Sequence, residues 1–110
     1  MGGWIGVDLD GTLAEYGGWK GASHIGDPVP EMLLRVRNWL DQGKTVKIFT
    51  ARAGIPSQIP PIEDWCELHL GVRLPVTDRK DFDMIELWDD RSVRVKANEG
   101  CPCCDHWRVK

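Results

Sequence analysis

The apolar run Trp4-Ile5-Gly6-Val7 stops on Asp8-Leu9-Asp10-Gly11, and that stop constrains the fold more than any other stretch of the chain. Four apolar residues without polar alternation read as a central parallel strand covered on both faces. On an extended chain residues i and i+2 project to the same side, so Asp8 and Asp10 address one small volume at the strand end. Gly11 permits a sharp turn, and Thr12 can satisfy the backbone groups the turn frees. Two like charges this close call for a bound cation, a shared proton or a cationic ligand.

The remaining chain alternates strand and helix signals. From 13 to 28 periodicity vanishes, and Gly17, Gly18, Gly21 and Gly26 interrupt Tyr16, Trp19, Lys20 and His24. This segment is a loop, either a flap over the strand end or a solvated connector with Trp19 tucked against the core. Asp27 with Pro28 and Pro30 predicts a capped helix start. Val29, Leu33, Val36 and Leu40 then recur at helical spacing up to a stop at Gly43. Thr45 to Phe49 is a β-branched strand ending at Thr50 and the Ala51-Arg52-Ala53-Gly54 turn. A second helix is expected from Pro60-Pro61 to Gly71. Cys66 and His69 on it are read as a buried thiol and a packed or surface imidazole, not a metal pair. Strands are expected at 74–77, 84–88 and 93–95, five in all, joined by right-handed crossovers into an open, mainly parallel α/β sheet.

A chain of 110 residues, 42% hydrophobic and 28% charged, fits one domain with a single core. The domain is expected over 1–97, with 98–110 an irregular, Cys-rich tail. A net charge of -3 offers no general attraction to nucleic acid or anionic membrane. Neither partner is expected. No signal peptide or membrane span is read, and cysteines crowded at 101, 103 and 104 do not form a disulfide framework, so a cytoplasmic location is expected. Cys101, Cys103, Cys104 and His106 offer soft ligands but lack the usual two-residue gap of zinc cysteines; the alternatives are a zinc site or a thiol-rich end.

In open α/β sheets ligands bind beyond the carboxyl ends of the strands. The residues expected there are Asp8 and Asp10, Thr50 and Arg52, and Asp89 with Asp90, while Lys80 in the preceding turn can return to the same edge. These suit phosphoryl transfer. Asp8, a carbonyl near Asp10, and Asp89 or Asp90 can hold magnesium. Asp8 can attack phosphorus, and Asp10 can protonate the leaving oxygen and later deprotonate water. Thr50 and the backbone near Gly11 and Ala51 would hold phosphoryl oxygens, with Lys80 offsetting their charge. Arg52, Arg79 and Arg91 either gather at the mouth to favour an anionic substrate or pair with nearby aspartates.

Asp8-Leu9-Asp10-Gly11-Thr12-Leu13, Phe49-Thr50-Ala51-Arg52, Lys80 and Asp89-Asp90 resemble the four ordered motifs of haloacid dehalogenase superfamily phosphatases, across residues 4 to about 95. The resemblance implies a Rossmann-like, three-layer α/β/α fold, magnesium dependence, and an aspartyl-phosphate intermediate on Asp8. It also implies a phosphatase rather than a dehalogenase, because a second aspartate lies two after the nucleophile. No segment is long enough for a cap domain. The chain is therefore similar to the capless group, whose open sites accept large substrates or are covered by a neighbouring subunit, which leaves room for a homo-oligomer. The expected substrate is a small phosphorylated molecule. The alternatives are a non-catalytic phosphate- and metal-binding protein and a phosphatase of nucleotides or polynucleotide ends.

Overall fold

A computed structural model describes residues 2–21 and 23–103. Its elements are β1 (Trp4–Val7), α1 (Pro30–Asp41), β2 (Thr45–Phe49), α2 (Ile59–Leu70), β3 (Val76–Thr77) and β4 (Met84–Trp88). They form an α/β structure around a parallel sheet of order β3-β2-β1-β4. The hydrophobic run at 4–7 is thus a central strand, with Val7 paired to Ile48 on one side and Trp88 on the other.

The two helices begin and end where backbone chemistry dictates. α1 starts one residue after Val29, not at an Asp27 cap, because a residue that precedes proline is held extended and Val29 precedes Pro30. The Asp27 carbonyl instead accepts the Glu15 amide at 2.8 Å and closes the base of the 13–28 loop. α2 carries prolines in its first turn and ends at Gly71, whose φ of 80° is the left-handed stop that glycine adopts without a Cβ clash.

Ile5, Val7, Val46 and Ile48 point to one face of the sheet. They join Met32 and Val36 of α1 and Ile62, Trp65 and Cys66 of α2 in a single buried cluster. Burial pushes the Cys66 thiol up to about 11, which leaves it a packing group. The opposite face is built differently. The Trp4 ring lies over Gly6, its indole N–H donates to Asp81 Oδ1 at 2.8 Å, and Lys47 Nζ sits 4.6 Å from the ring centroid. That hydrogen bond holds the Asp81 carboxyl below its usual range. The 78–83 connection from β3 to β4 supplies this cover, so no helix of the described residues forms a third layer there. Ile85 and Leu87 of β4 remain exposed.

The sheet has four strands among the described residues, not five. Residues 93–95 turn onto the following segment: Val95 bridges Pro102 in antiparallel fashion, Lys96 N donates to Cys101 O at 2.7 Å, and Cys103 N to Arg94 O at 2.7 Å. Local pairing across the turn at Asn98 and Gly100, both with positive φ, engages the Arg94 carbonyl and the Lys96 amide that a fifth strand would have offered to β4. The third strand is also shorter than expected, confined to Val76–Thr77. Cys101 and Cys103 are exposed free thiols. Cys104 and His106, and the zinc site considered for them, lie outside the described residues. No described helix is long and apolar enough to cross a membrane.

A core confined to one face has a direct test in urea denaturation. Ile48→Ala, at a fully buried position, should cost about 2–5 kcal/mol. Ile85→Ala on the other face should stay within about 0.5 kcal/mol.

Candidate active site

After β1 the chain folds into a compact turn in which apolar and polar side chains divide inside from outside. Leu9, Leu13 and Ala14 are fully buried, while Asp8, Asp10 and Thr12 stay partly accessible. Leu9 O accepts the amides of Thr12, Leu13 and Ala14 at 3.2, 3.0 and 2.9 Å, and Gly11 N donates to Ala14 O at 2.8 Å. Two buried leucines therefore fix the polar residues between them. Asp8 N donates to Trp88 O at 2.9 Å, which extends the β1–β4 ladder to the point where both strands end in carboxylates.

One ligand oxygen each from Asp8, Asp89 and Asp90 can be chosen so that all lie within 4.8 Å of one another. Thr12 knits the two ends together. Its hydroxyl accepts the Asp90 amide at 3.0 Å and lies 3.3 Å from Asp8 Oδ2 and 3.2 Å from Asp90 Oδ1, so its one proton serves either carboxylate. Asp89 Oδ1 accepts the Arg91 amide at 2.8 Å. Trp88, the last residue of β4, meets Trp39 edge-on at 5.2 Å and Arg35 at 5.0 Å, so α1 sets the level from which Asp89 and Asp90 depart.

Burial and then the Asp89 and Asp90 carboxylates push the Asp8 carboxyl up to about 7, despite the opposing Thr12 hydrogen bond. Three acids that resist ionising together form a hard-oxygen donor set for a divalent cation.

Asp10 faces elsewhere. Arg52, only 7% exposed, forks onto it with Nε to Oδ2 and Nη2 to Oδ1, both at 2.9 Å. Nη2 also donates to His24 O at 3.0 Å, and the guanidinium carbon lies 5.0 Å from the Trp19 ring centroid. Arg52 thus pairs with a local aspartate and ties the glycine-rich loop to it. Arg79 and Arg91 make no ion pair among the described residues.

Thr50 is buried at the end of β2 and its hydroxyl accepts Arg52 N at 3.2 Å, capping the short 3-10 turn Ala51–Gly54. Ala51 is exposed in that turn, and Gly11, at φ 91°, lies against Asp90. Lys80 is exposed within the 78–83 connection and makes no hydrogen bond or ion pair among the described residues. The residues expected at one edge thus divide: Asp8, Asp89 and Asp90 form one cluster, Asp10 with Arg52 a second, and Lys80 makes no ion pair with either. The bridging part of Thr12 was not foreseen, although Thr12 stands two further residues along the Asp8, Asp10 series. His24 and Trp19 as Arg52 partners carried no sequence signal.

A group harder to ionise in the folded chain than in the unfolded one costs stability as pH rises from its ordinary 3.8 through about 7. In chelator, Asp8→Asn should therefore raise the Tm by several degrees at pH 8 and change it little at pH 4; a saturating divalent cation should abolish the wild-type slope. A Cβ on Gly11 would lie 2.6 Å from Asp90 Oδ2 on a backbone that disfavours side chains. Gly11→Ala should weaken divalent-cation binding about tenfold or more by calorimetry.

No protein-family model and no curated protein matches this chain. Among solved structures it is similar to a conserved protein from Bacteroides thetaiotaomicron, with a TM-score of 0.61 and 19% sequence identity over 84% of this chain and 79% of that one. A likeness at that identity is a likeness of fold.

Proposed function

We propose that this chain is a magnesium-dependent phosphomonoesterase with a Rossmann-like fold, a haloacid dehalogenase-like hydrolase working through Asp8. The observation that carries the proposal is the meeting of Asp8 with Asp89 and Asp90, eighty residues apart in sequence, around a volume that excludes three free negative charges. Asp8, Asp89 and Asp90, with backbone near Asp10, would hold Mg2+. Bound there, Mg2+ would neutralise the carboxylates and the phosphate, and Asp8 would then be ionised at neutral pH.

An Asp8 carboxylate oxygen forms a bond to phosphorus as the bond from phosphorus to the alcohol oxygen breaks. The electron pair leaves with the alcohol, which takes a proton from Asp10. Water then attacks the aspartyl phosphate and gives a proton to Asp10, and the pair of the breaking bond returns to Asp8. Arg52 sets the direction of the Asp10 carboxylate through its fork, a positioning role instead of the substrate contact first expected of it. The Thr50 hydroxyl and the Ala51 N–H would frame the phosphate, since the Gly11 N–H is held by Ala14 O, and Lys80 would reach it once substrate is bound. The enzyme acts in the cytoplasm on a small phosphorylated molecule, as a monomer or a homo-oligomer.

Hydrolysis of an aryl phosphate with and without magnesium tests the proposal. Asp8→Asn should lower the rate by about a thousandfold or more, as loss of a nucleophile does. Equal rates in the two proteins would end it. One observation favours a second function, phosphate and metal binding without turnover: both Asp10 oxygens are held by Arg52, and Lys80 stands apart from the acids. Phosphate binding with no turnover of any ester would select it.

A further inference from the structure

Asp10 has a second environment beyond the acid cluster. On its far side a cavity of about 350 Å³ opens between the 13–28 loop and Arg52, lined by Glu15, Tyr16, Lys20, His24 and Asp27. We propose that this cavity receives the alcohol part of the phosphomonoester and takes one neutral, hydroxyl-rich group, a monosaccharide or polyol, in preference to any group bearing a further phosphate. The proposal rests on the phosphomonoesterase function above.

Position is the first argument. A leaving oxygen that takes its proton from Asp10 must lie beside that carboxylate, and the cavity is the space Asp10 borders away from Asp8. Size is the second. The volume stands near the bottom of the roughly 300–1,000 Å³ range of small-molecule sites, enough for one ring-sized group.

Charge is the third argument and decides between substrate classes. The Arg52 cation is matched by Asp10 through two hydrogen bonds. Beside the His24 imidazole, what remains on the walls is Glu15 and Asp27 against Lys20, two carboxylates facing one ammonium. A wall with a surplus of negative charge repels a second phosphate, whether on a nucleoside bisphosphate or along a polynucleotide. The same groups suit hydroxyls, since carboxylates accept from them, the ammonium donates to them, and the Tyr16 hydroxyl does either. The Tyr16 ring offers an apolar face for the C–H side of a sugar.

The base of the cavity, at Glu15 and from His24 to Asp27, is held before a ligand arrives, which is the fourth argument. At the loop base Ala14 bridges Pro28 and Glu15 N donates to Asp27 O at 2.8 Å. Trp65 Nε1 of α2 donates to Gly26 O at 3.0 Å, and Arg52 holds His24 O. Gly26 packs so closely on the Glu15 carbonyl that any side chain there would overlap it. A preformed wall avoids the ordering cost that a mobile loop would impose on binding.

The test compares kcat/KM in magnesium for phenyl phosphate, a hexose monophosphate, a nucleoside 3′,5′-bisphosphate and a 5′-phosphorylated oligonucleotide. The hexose phosphate should exceed both polyanions at least tenfold. Paired Glu15→Gln and Asp27→Asn should lower the ratio of hexose phosphate to phenyl phosphate about tenfold, through KM, and narrow the gap to the bisphosphate. Independently of turnover, the free hexose should give saturation-transfer NMR signals with Asp8→Asn protein, and Tyr16→Ala should remove them. A polyanion hydrolysed as well as the hexose phosphate, a ratio unmoved by the paired substitution, or no transfer to the hexose would each overturn the subsite. Failure to hydrolyse even phenyl phosphate would instead overturn the phosphomonoesterase function on which it rests.

Discussion

The pairing of β1 with β4 has to hold three carboxylates together against their mutual repulsion, and the rest of the structure is arranged so that it can. The ladder runs from Trp4 to the Asp8 amide bonded to Trp88 O, and only then do both strands release their acids. Leu9 and Leu13 anchor one side and the Trp88–Trp39 contact steadies the other. Thr12 is the small part that makes the junction specific. A single hydroxyl oxygen can accept from the Asp90 backbone while donating to either carboxylate, which an ammonium, having donors alone, could not do. The electrostatic cost shows at Asp8, whose carboxyl is raised by burial and then by the neighbouring Asp89 and Asp90 carboxylates.

Much of this was legible in the sequence because it follows from strand periodicity and local chemistry. The run at 4–7, the β-branched stretch at 45–49 and the acidic end of 84–88 each specify a strand whose terminus carries polar groups, and parallel pairing brings such termini to one edge. The failures have equally physical causes. Asp27 was read as a cap because its side chain suits one, but Pro30 imposes an extended Val29 and moves the helix start. Residues 93–95 have strand composition, yet a nearby turn pairs the Arg94 carbonyl and the Lys96 amide with the segment that follows instead of with β4. Three layers were implied by a resemblance, whereas the six residues from 78 to 83 are too few to make a covering helix.

The Arg52 fork was open to two interpretations from sequence, and distance decides. An arginine with only 7% exposure, bidentate on Asp10, is committed to the protein. That commitment links two functional halves. The carboxylate side, built from strand ends, is suited to a cation and a phosphate; the loop side, built from glycine-rich chain, presents mixed donors and acceptors. Asp10 leaves the strand end two residues after Asp8 and is held on the loop side by Arg52, the position that the proposed leaving-group role requires.

The strand order also governs when the site can come into being. β1, α1, β2, α2 and β3 follow one another in space as in sequence, so they can assemble by successive short-range steps. β4 must then cross back past β2 and β1 to reach the free edge of β1, where Trp4 pairs with Met84, 80 residues on. Asp89 and Asp90 arrive with it. A partly folded chain with three strands in place would therefore have a core and no cation site. A divalent ion that binds only the finished cluster would act on the last docking event, drawing the equilibrium toward the complete sheet by mass action.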